Sequence, residues 1–188
     1  MKNINIILAS QSPRRKQLLE QIGIFPICQP VDIDETKYTS ESPLEYCQRL
    51  ALEKAQAGWL QSQKKCMVLG SDTIVVFEGE TLGKPNDNAD AFRMLAMLSD
   101  TTHQVITAVA IVYESKHKTV VSTSDVTFAK FETEEINKYI ASKEPMDKAG
   151  SYGIQGLAAQ WIKSISGSYS GIMGLPLYET AQLIREYA

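Results

Sequence analysis

The sequence contains few of the residues that build metal centres and hydrolytic triads. Its 188 residues include three cysteines, which lie far apart, and two histidines. No CxxC or Cys/His cluster occurs, which argues against a structural zinc site. With only His103 and His117 available and no GxSxG motif, a Ser-His-Asp hydrolase has no support. We expect His103 to make a structural hydrogen bond and to have no catalytic role.

The net charge is small, and long apolar runs are also lacking. The net charge is −3, so no global basic field recruits nucleic acid, and any recognition of anions must be local. No apolar stretch approaches the length that spans a membrane, and the N-terminus lacks a signal-peptide pattern. The odd number of cysteines and their apolar neighbours predict reduced, packed thiols at Cys28, Cys47 and Cys66. We therefore expect a cytoplasmic protein with neither a nucleic-acid nor a membrane partner.

Strand-like and helix-like segments alternate along the chain, which predicts an α/β fold. Apolar runs rich in β-branched residues predict strands at residues 4–9, 67–69, 74–77, 105–113 and 119–128. Helical periodicity predicts helices at residues 13–22, 43–59, 90–98, 133–140 and 176–187. The last two strand runs, joined by residues 115–118, predict an antiparallel hairpin and therefore a mixed sheet. Residues 36–42 and 78–88 are expected to form polar loops.

A transition from strand to helix near the N-terminus carries two arginines. Ser12 is a good N-cap, and Pro13 suits the first position of a helix. A helix N-terminus offers backbone N–H groups and the positive end of the helix dipole. With Arg14 and Arg15 beside it, this segment is a candidate seat for a phosphate or polyphosphate. The alternative is an ordinary capped helix with solvated arginines.

The second predicted helix carries a lysine within its apolar face. Ser42 and Glu45 form a capping box around Pro43. At 3.6 residues per turn, Lys54 falls inside the apolar arc. The other members of that arc are Leu44, Cys47, Leu50, Ala51 and Ala55. Because a buried lysine needs a partner or a path to solvent, Lys54 either serves an anionic site or extends to water as a structural lysine.

Four small or polar residues, Gly70 to Thr73, separate two apolar runs. This pattern predicts that Asp72 lies at a strand end, where α/β sheets usually bind ligands. The alternative is an Asx-type turn between two strands. Lys84 follows in the rigid turn Gly83-Lys84-Pro85, and taken alone it would be a solvated loop lysine.

A short acidic run, formed by Asp32, Asp34 and Glu35, lies in a segment that we expect to be exposed. Such runs are usually solvated. They also suit Mg²⁺, because this ion takes one or two carboxylates together with substrate phosphates.

Glycines at positions 150, 153 and 156 form a dense segment that matches neither the GxGxxG fingerprint nor the P-loop. Glycines at this density allow the backbone to approach a ligand or another backbone closely. Gln155 lies among them, and its amide can both donate to and accept from the edge of a base. A plain sharp turn in a sheet is the alternative.

Together these segments resemble the Maf family of nucleoside triphosphate pyrophosphatases. The resemblance covers nearly the whole chain and is carried by residues 8–15 (LASQSPRR), 49–55 (RLALEKA), 70–73 (GSDT), 83–85 (GKP), 144–156 (EPMDKAGSYGIQG) and 174–176 (GLP). This combination in this order is specific, although GKP or SPRR alone would be weak. The sequence departs from the family at Ser71, commonly alanine, and at Leu98-Ser99-Asp100, which lacks the glycine usual after LS. Neither departure changes a catalytic residue type.

The resemblance implies hydrolysis of a nucleotide between its α- and β-phosphates, giving a nucleoside monophosphate and pyrophosphate. It implies a single domain over residues 1–188, with a mixed β-sheet flanked by helices and two lobes around a cleft, as in the inosine triphosphate pyrophosphatases. Asp72 would be the proton acceptor, and Glu35 and Asp72 would hold a divalent cation, Mg²⁺, or orient the water. Lys54 and Lys84 would line the same site and join Asp72 and Glu35 as candidate catalytic residues. Arg14, Arg15, Lys54 and Lys84 would bind the triphosphate, and Ser10 and Ser12 are further candidates for binding the substrate.

The resemblance also implies a branch of the family. Positions that set specificity match Arg14, Thr73 and Gln155, as in the branch that acts on dTTP and UTP, whereas the 7-methyl-GTP branch carries glutamate in place of Gln155. An amide both donates and accepts, which suits the imide edge of a pyrimidine, whereas an ionised glutamate only accepts. A nucleotide-binding regulator of cell division or septum formation is the alternative from another class, and a homodimer stays open. Asp72 and the acidic run favour an enzyme, because a binding module would not need them.

Overall fold

The computed structural model describes residues 5–63, 66–114 and 116–187, which form a seven-stranded sheet and six α-helices. The strands are β1 (Ile6–Leu8), β2 (Ile27–Cys28), β3 (Met67–Phe77), β4 (Glu80–Leu82), β5 (Thr102–Tyr113), β6 (Lys116–Phe128) and β7 (Ile162–Ser166). The helices are α1 (Pro13–Gln21), α2 (Pro43–Gln61), α3 (Asn88–Leu98), α4 (Thr133–Ala141), α5 (Tyr169–Ile172) and α6 (Leu177–Tyr187). Short 3₁₀ helices occupy Glu144–Asp147, Ala149–Ser151 and Leu157–Trp161. Across these ranges we find no helix with the length and apolarity needed to cross a bilayer.

The sheet is mixed, as predicted. Its strand order is β2-β1-β3-β5-β6-β7, and β4 pairs with β3. Strand β1 runs parallel to β2 and to β3, whereas β4 is antiparallel to β3 and β7 is antiparallel to β6. The α/β class with a mixed sheet and flanking helices is therefore confirmed.

The chain divides into two compact units, each with its own buried residues. The first unit contains Met1–Asp72, Thr107–Ser122 and Gly174–Ala188, and the second contains Thr73–Ile106 and Thr123–Met173. Fully buried side chains of the first unit include Leu8, Leu19, Leu50, Met67, Leu69, Ile111, Leu175 and Leu183. The second unit buries an aromatic cluster built from His103, Phe128, Phe131, Tyr139, Tyr152 and Trp161.

The two N-terminal helices begin where their capping residues predict. The Ser12 side chain accepts the Arg15 backbone N–H at the start of α1, and the capping box of Ser42 and Glu45 opens α2. The apolar face of α2 is also confirmed, with Cys47, Leu50, Ala51, Ala55 and Gly58 buried. Leu44 is an exception, since it is 43% exposed in the first turn of the helix.

The prediction that residues 70–73 interrupt a strand is wrong. Strand β3 runs unbroken from Met67 to Phe77, so Asp72 lies in the middle of a buried strand and not at a strand end or in an Asx turn. Gly70 fits because α2 crosses the strand closely: a Cβ there would lie 2.2 Å from the Ala51 carbonyl oxygen. The small residues thus mark a close approach of helix and strand instead of a turn.

Other predicted boundaries shift by a few residues. Strand β5 begins at Thr102, and residues 116–118 belong to β6 instead of the hairpin turn. Residues 4 and 115, part of the first predicted strand and of that turn, lie outside the described residues. The short elements β2, β4, β7, α5 and the 3₁₀ helices were not predicted, because two to five residues carry no readable periodicity.

The expectation of packed thiols holds for only one cysteine. All three cysteines are free, but Cys47 alone is buried, whereas Cys28 is exposed and Cys66 is half-buried.

Candidate active site

The first unit brings three predicted site residues into direct contact. The Lys54 ammonium lies 2.7 Å from Asp72 Oδ1 and 2.8 Å from Glu35 Oε1. The Asp72 side chain is 11% exposed and that of Lys54 is 13% exposed, whereas the Glu35 side chain is 55% exposed. A buried carboxylate and an exposed one therefore share a single lysine, and the alternative of a purely solvent-directed Lys54 is wrong.

Burial dominates the electrostatics of Asp72. Loss of solvent raises the pKa of its carboxyl group above the ordinary aspartate value, while the charge and hydrogen bond of Lys54 and the charge of Arg15 oppose the rise. The nearby Glu35 carboxylate adds to it. A carboxylate whose pKa is raised toward neutral pH is a better proton acceptor than a solvated carboxylate with an ordinary pKa.

Helix α2 packs against β3 so that its side chains reach Asp72. The absence of a side chain at Gly70 leaves room for the α2 backbone at Ala51 and Ala55. The Cys47 thiol donates to the Asp72 backbone carbonyl across 3.4 Å, and burial raises the pKa of this thiol to about 12. The protonated Cys47 thus supports the strand that carries Asp72 and has no reactive character.

Arg15 is fixed by contacts at two of its nitrogens. Its Nε donates to the Gly174 carbonyl across 2.8 Å, and its Nη1 donates to Ser10 Oγ across 3.2 Å. The Ser71 hydroxyl donates to the same Gly174 carbonyl across 3.0 Å. Burial lowers the pKa of the Arg15 guanidinium, and the Asp72 carboxylate partly offsets this effect. Ser71, the departure from the family pattern, therefore shares an acceptor with Arg15.

The N-terminus of α1 uses backbone donors for its own structure. The Ser12 N–H donates to Ser10 Oγ across 3.1 Å, and the Arg15 N–H donates to Ser12 Oγ across 3.5 Å. Pro13 has no N–H to offer. An anion at this helix would therefore depend on the guanidinium groups of Arg15 and the half-buried Arg14 more than on backbone amides.

Two side chains of α2 for which the sequence predicts no role hold the segment that carries Glu35. The Tyr46 hydroxyl donates to the Glu35 backbone carbonyl across 2.8 Å, and Arg49 Nη2 donates to the Thr36 carbonyl across 2.9 Å. Their signal in the sequence was a spacing of three residues, which places Tyr46 and Arg49 on one side of the helix.

Three predicted residues, Thr73, Lys84 and Gln155, belong to the second unit. Thr73 follows Asp72 directly in β3 and is half-buried, whereas Lys84 and Gln155 are exposed. The Gly150 N–H donates to the Gly83 carbonyl across 3.0 Å, which ties the turn carrying Lys84 to the glycine-rich segment.

Gln155 lies at an exposed turn that is fastened at both ends. The Gly156 N–H donates to the Gly153 carbonyl across 3.0 Å. The Leu157 N–H donates to both Glu144 carboxylate oxygens, 3.1 Å from each. Because a Cβ on Gly156 would lie 1.9 Å from Glu144 Oε1, this glycine makes room for that carboxylate. The alternative of a plain turn within a sheet is wrong, since the segment links 3₁₀ helices.

The donor set suits a metal that the substrate helps to bind. Within residues 5–63, 66–114 and 116–187, no three His, Cys, Asp or Glu side chains are gathered for an ion. Glu35 and Asp72 supply two carboxylates, and both of them contact the Lys54 ammonium. Two carboxylates completed by phosphate oxygens and water match the preference of Mg²⁺.

The chain is similar over nearly its whole length to proteins named dTTP/UTP pyrophosphatase. One from Vibrio vulnificus is 51% identical over 183 residues, covering 97% of this chain and 98% of that protein. One from Vibrio parahaemolyticus is 50% identical over 187 residues, covering 99% and 98%.

Among solved structures, the Staphylococcus aureus Ham1 protein aligns with a TM-score of 0.52 at 17% identity, covering 84% of this chain and 79% of that one. At this identity the likeness shows the fold alone, and it agrees with the expected α/β fold with a mixed sheet. The family model described as "Maf-like protein" matches residues 5–187. Both the motifs and this match over almost the entire sequence lead to one conclusion: the chain belongs to the Maf-like family.

Proposed function

We propose that this protein is a nucleoside triphosphate pyrophosphatase that hydrolyses dTTP and UTP to the monophosphate and pyrophosphate. The observation that carries the proposal is the contact of Lys54 with both Asp72 and Glu35. Full-length relatives at about half identity bear the name dTTP/UTP pyrophosphatase, which supports the same substrates. A buried carboxylate with a raised pKa, such as Asp72, favours an enzyme, because perturbed pKa values cluster at catalytic sites.

In the proposed reaction, water adds to one of the two phosphorus atoms of the anhydride between the α- and β-phosphates. The bond from that phosphorus to the bridging oxygen breaks, the bridging oxygen stays with the other fragment, and the monophosphate and pyrophosphate separate. Asp72 accepts the proton of the attacking water, which its raised pKa favours. Lys54 and Arg15 neutralise charge that develops on the phosphate oxygens.

A divalent cation, Mg²⁺, is part of the proposal, and Glu35 and Asp72 are the residues that would hold it. When bound, it would neutralise phosphate charge and lower the pKa of a coordinated water. Asp72 is therefore assigned as the base with a second role as a metal ligand, and Glu35 as a ligand only. Ser10 acts in the proposal by holding Arg15, and Ser12 by capping α1.

The assignment of the base-reading residues is also a proposal. Gln155 would donate to a pyrimidine carbonyl and accept from the ring N–H, with Arg14 and Thr73 as further specificity positions. Lys84 would bind phosphate from its turn.

We further propose that the protein works in the cytoplasm, where its free thiols stay reduced. Light scattering in solution would distinguish a homodimer from a monomer by molecular mass.

The test is a pyrophosphate-release screen over common and modified nucleoside triphosphates, with and without Mg²⁺, on the wild-type protein. We expect rapid release from dTTP and UTP, and loss of release when Mg²⁺ is chelated. Faster turnover of 7-methyl-GTP would move the protein to the other branch and leave the reaction class standing. Absence of pyrophosphate release from every nucleotide would overturn the proposed function.

A further inference from the structure

The segment that carries Glu35 is held by α2 through its backbone. Residues 29–42 contain no helix or strand, and Glu35 itself is exposed. A side chain on such a segment has no fixed position unless something orders the backbone beneath it. Tyr46 and Arg49, one helical turn apart, bind the carbonyl oxygens of the consecutive residues Glu35 and Thr36.

Arg49 is itself held on several sides. Both of its contacts with Glu41 are charge-assisted hydrogen bonds, one from Nε to Oε1 and one of 2.9 Å from Nη2 to Oε2. Its Nη1 lies 3.1 Å from Glu53 Oε2 on the next turn of the helix. The guanidinium carbon lies 4.1 Å from the centre of the Tyr38 ring, which is a cation–π contact.

The segment is also tied to itself around Arg49. The Tyr38 N–H donates to Glu41 Oε2 across 2.9 Å, and the Glu41 N–H donates to the Tyr38 carbonyl across 3.1 Å. The Thr36 N–H donates to Asp34 Oδ1 across 2.9 Å. Arg49 thus joins a closed turn at residues 38–41 to the carbonyl beside Glu35, and its planar fork makes this possible where a lysine could not.

We propose that Tyr46 and Arg49 are positioning residues that hold the Glu35 carboxylate against Lys54, and so prepare the metal-binding side of the active site. Helix α2 carries Tyr46, Arg49 and Lys54. One rigid element therefore positions both Lys54 and the backbone segment that carries Glu35, the exposed partner of this lysine. Neither positioning residue needs to touch the substrate. This inference rests on the proposed function, in which Glu35 is a metal ligand.

The first test compares Tyr46→Phe and Arg49→Lys with the wild type by pyrophosphate release from UTP at varied Mg²⁺. Tyr46→Phe removes one hydroxyl, and Arg49→Lys keeps the charge but loses the forked geometry. We expect each to raise the Mg²⁺ concentration for half-maximal activity or to lower kcat by about tenfold, as is common for residues that support metal ligands. Glu53→Gln is the matched control, because it removes the charge of an Arg49 partner that lies outside the segment, and it should behave like the wild type.

A double-mutant cycle with Glu35→Gln separates positioning from general stability. If Tyr46 and Arg49 act through Glu35, their substitutions should add little to the defect of Glu35→Gln. A defect that multiplies in full with that of Glu35→Gln would overturn the proposal. Full activity of Glu35→Gln would also overturn it, since nothing would remain to be positioned.

A measurement independent of turnover is hydrogen exchange at the Thr36, Tyr38 and Glu41 amides in the metal-free protein. We expect faster exchange at these amides in Arg49→Lys than in Glu53→Gln, with exchange in β3 unchanged. Equal exchange in the two variants would overturn the proposal. A wild type that releases no pyrophosphate would refute the proposed function instead, and the exchange experiment would still report whether Arg49 orders the segment.

Discussion

Lys54 lies 2.7 Å from Asp72, and this pair joins the middle of a buried strand to the apolar face of a helix. Neither residue would be stable there in its charged form without the other, because an isolated ionised group in a low-dielectric interior is strongly unfavourable. Each residue therefore explains the burial of the other. Glu35 approaches the same ammonium from an exposed segment, which leaves that carboxylate accessible to an ion from solvent.

Replacing Asp72 by Asn should abolish most turnover while preserving the fold. The amide oxygen can still accept from Lys54, but it cannot take a proton from water, so we expect kcat to fall by about 10² to 10⁴. In the wild type, kcat should rise with pH as Asp72 ionises, with the midpoint above the ordinary aspartate value because burial raises its pKa. Steady-state kinetics from pH 4 to 9 measure both effects; kcat within threefold of wild type would remove Asp72 from the role of base.

Replacing Lys54 by Met should abolish activity and also destabilise the protein near neutral pH. The substitution leaves Asp72 ionised and buried without its main partner, and breaking such a pair costs about 3 kcal/mol. Without Lys54 the native pKa of Asp72 rises further, so the native state takes up the proton more readily than the unfolded state. The loss of stability should therefore be largest above that pKa and shrink as the pH falls below it.

Urea unfolding of Lys54→Met and wild type at pH 5 and pH 8 measures this difference. The double substitution Lys54→Met with Asp72→Asn is the control, because it removes the stranded charge and should recover stability without recovering activity. Equal stability of Lys54→Met at both pH values would contradict the proposed coupling.

Replacing Gln155 by Glu should change substrate choice and leave stability unaffected. Gln155 is exposed, so the fold does not depend on its amide. A site that pairs with the imide edge can reject a base that leaves polar groups unpaired by as much as roughly 10⁴-fold. We expect wild-type kcat/KM to be high for dTTP and UTP and low for CTP, and the variant to lose activity on the first two. Preference of the wild type for CTP would refute this role.

His103 should make stability depend on pH through a route unrelated to catalysis. Burial lowers the pKa of His103 from 6.5 to about 4, and its Nε2 lies 2.7 Å from the Tyr152 hydroxyl oxygen. The unfolded state binds the proton more tightly, so stability is complete above about pH 6.5 and falls by up to about 3 kcal/mol between pH 6.5 and 4.

Unfolding of His103→Gln across that pH range measures the contribution, since an amide can still bond to Tyr152. The variant should lose part of the pH dependence. His117→Gln, at an exposed site, should retain it. An unchanged slope in His103→Gln would show that other groups cause the acid sensitivity.

Replacing Gly70 by Ala should be far more damaging than replacing Gly83 by Ala. A Cβ at Gly70 would lie 2.2 Å from the Ala51 carbonyl oxygen and 2.5 Å from the Ala55 nitrogen, whereas one at Gly83 would meet nothing within 4 Å. Because the added Cβ would clash with backbone atoms, no flexible side chain can move aside to relieve the clash. We therefore expect the free energy of unfolding to fall by about 3 kcal/mol, or the variant not to fold. Thermal melts of the two variants measure the contrast, and similar midpoints would show that α2 can shift away from β3.

From the sequence alone we could predict the capped starts of α1 and α2, the mixed α/β class, the family and the candidate residues. Caps and helical periodicity are local, and the motifs are specific in combination, so no tertiary contact was needed to find them. The close approach that Gly70 permits and the unbroken β3 were decided by the tertiary structure, because small polar residues look alike in a turn and beneath a helix. The same holds for the partners of Lys54 and for the roles of Tyr46, Arg49 and Glu144. These depend on contacts between segments that are distant along the chain or lie outside regular structure, and for such contacts the spacing of residues in the sequence does not predict their distance in space.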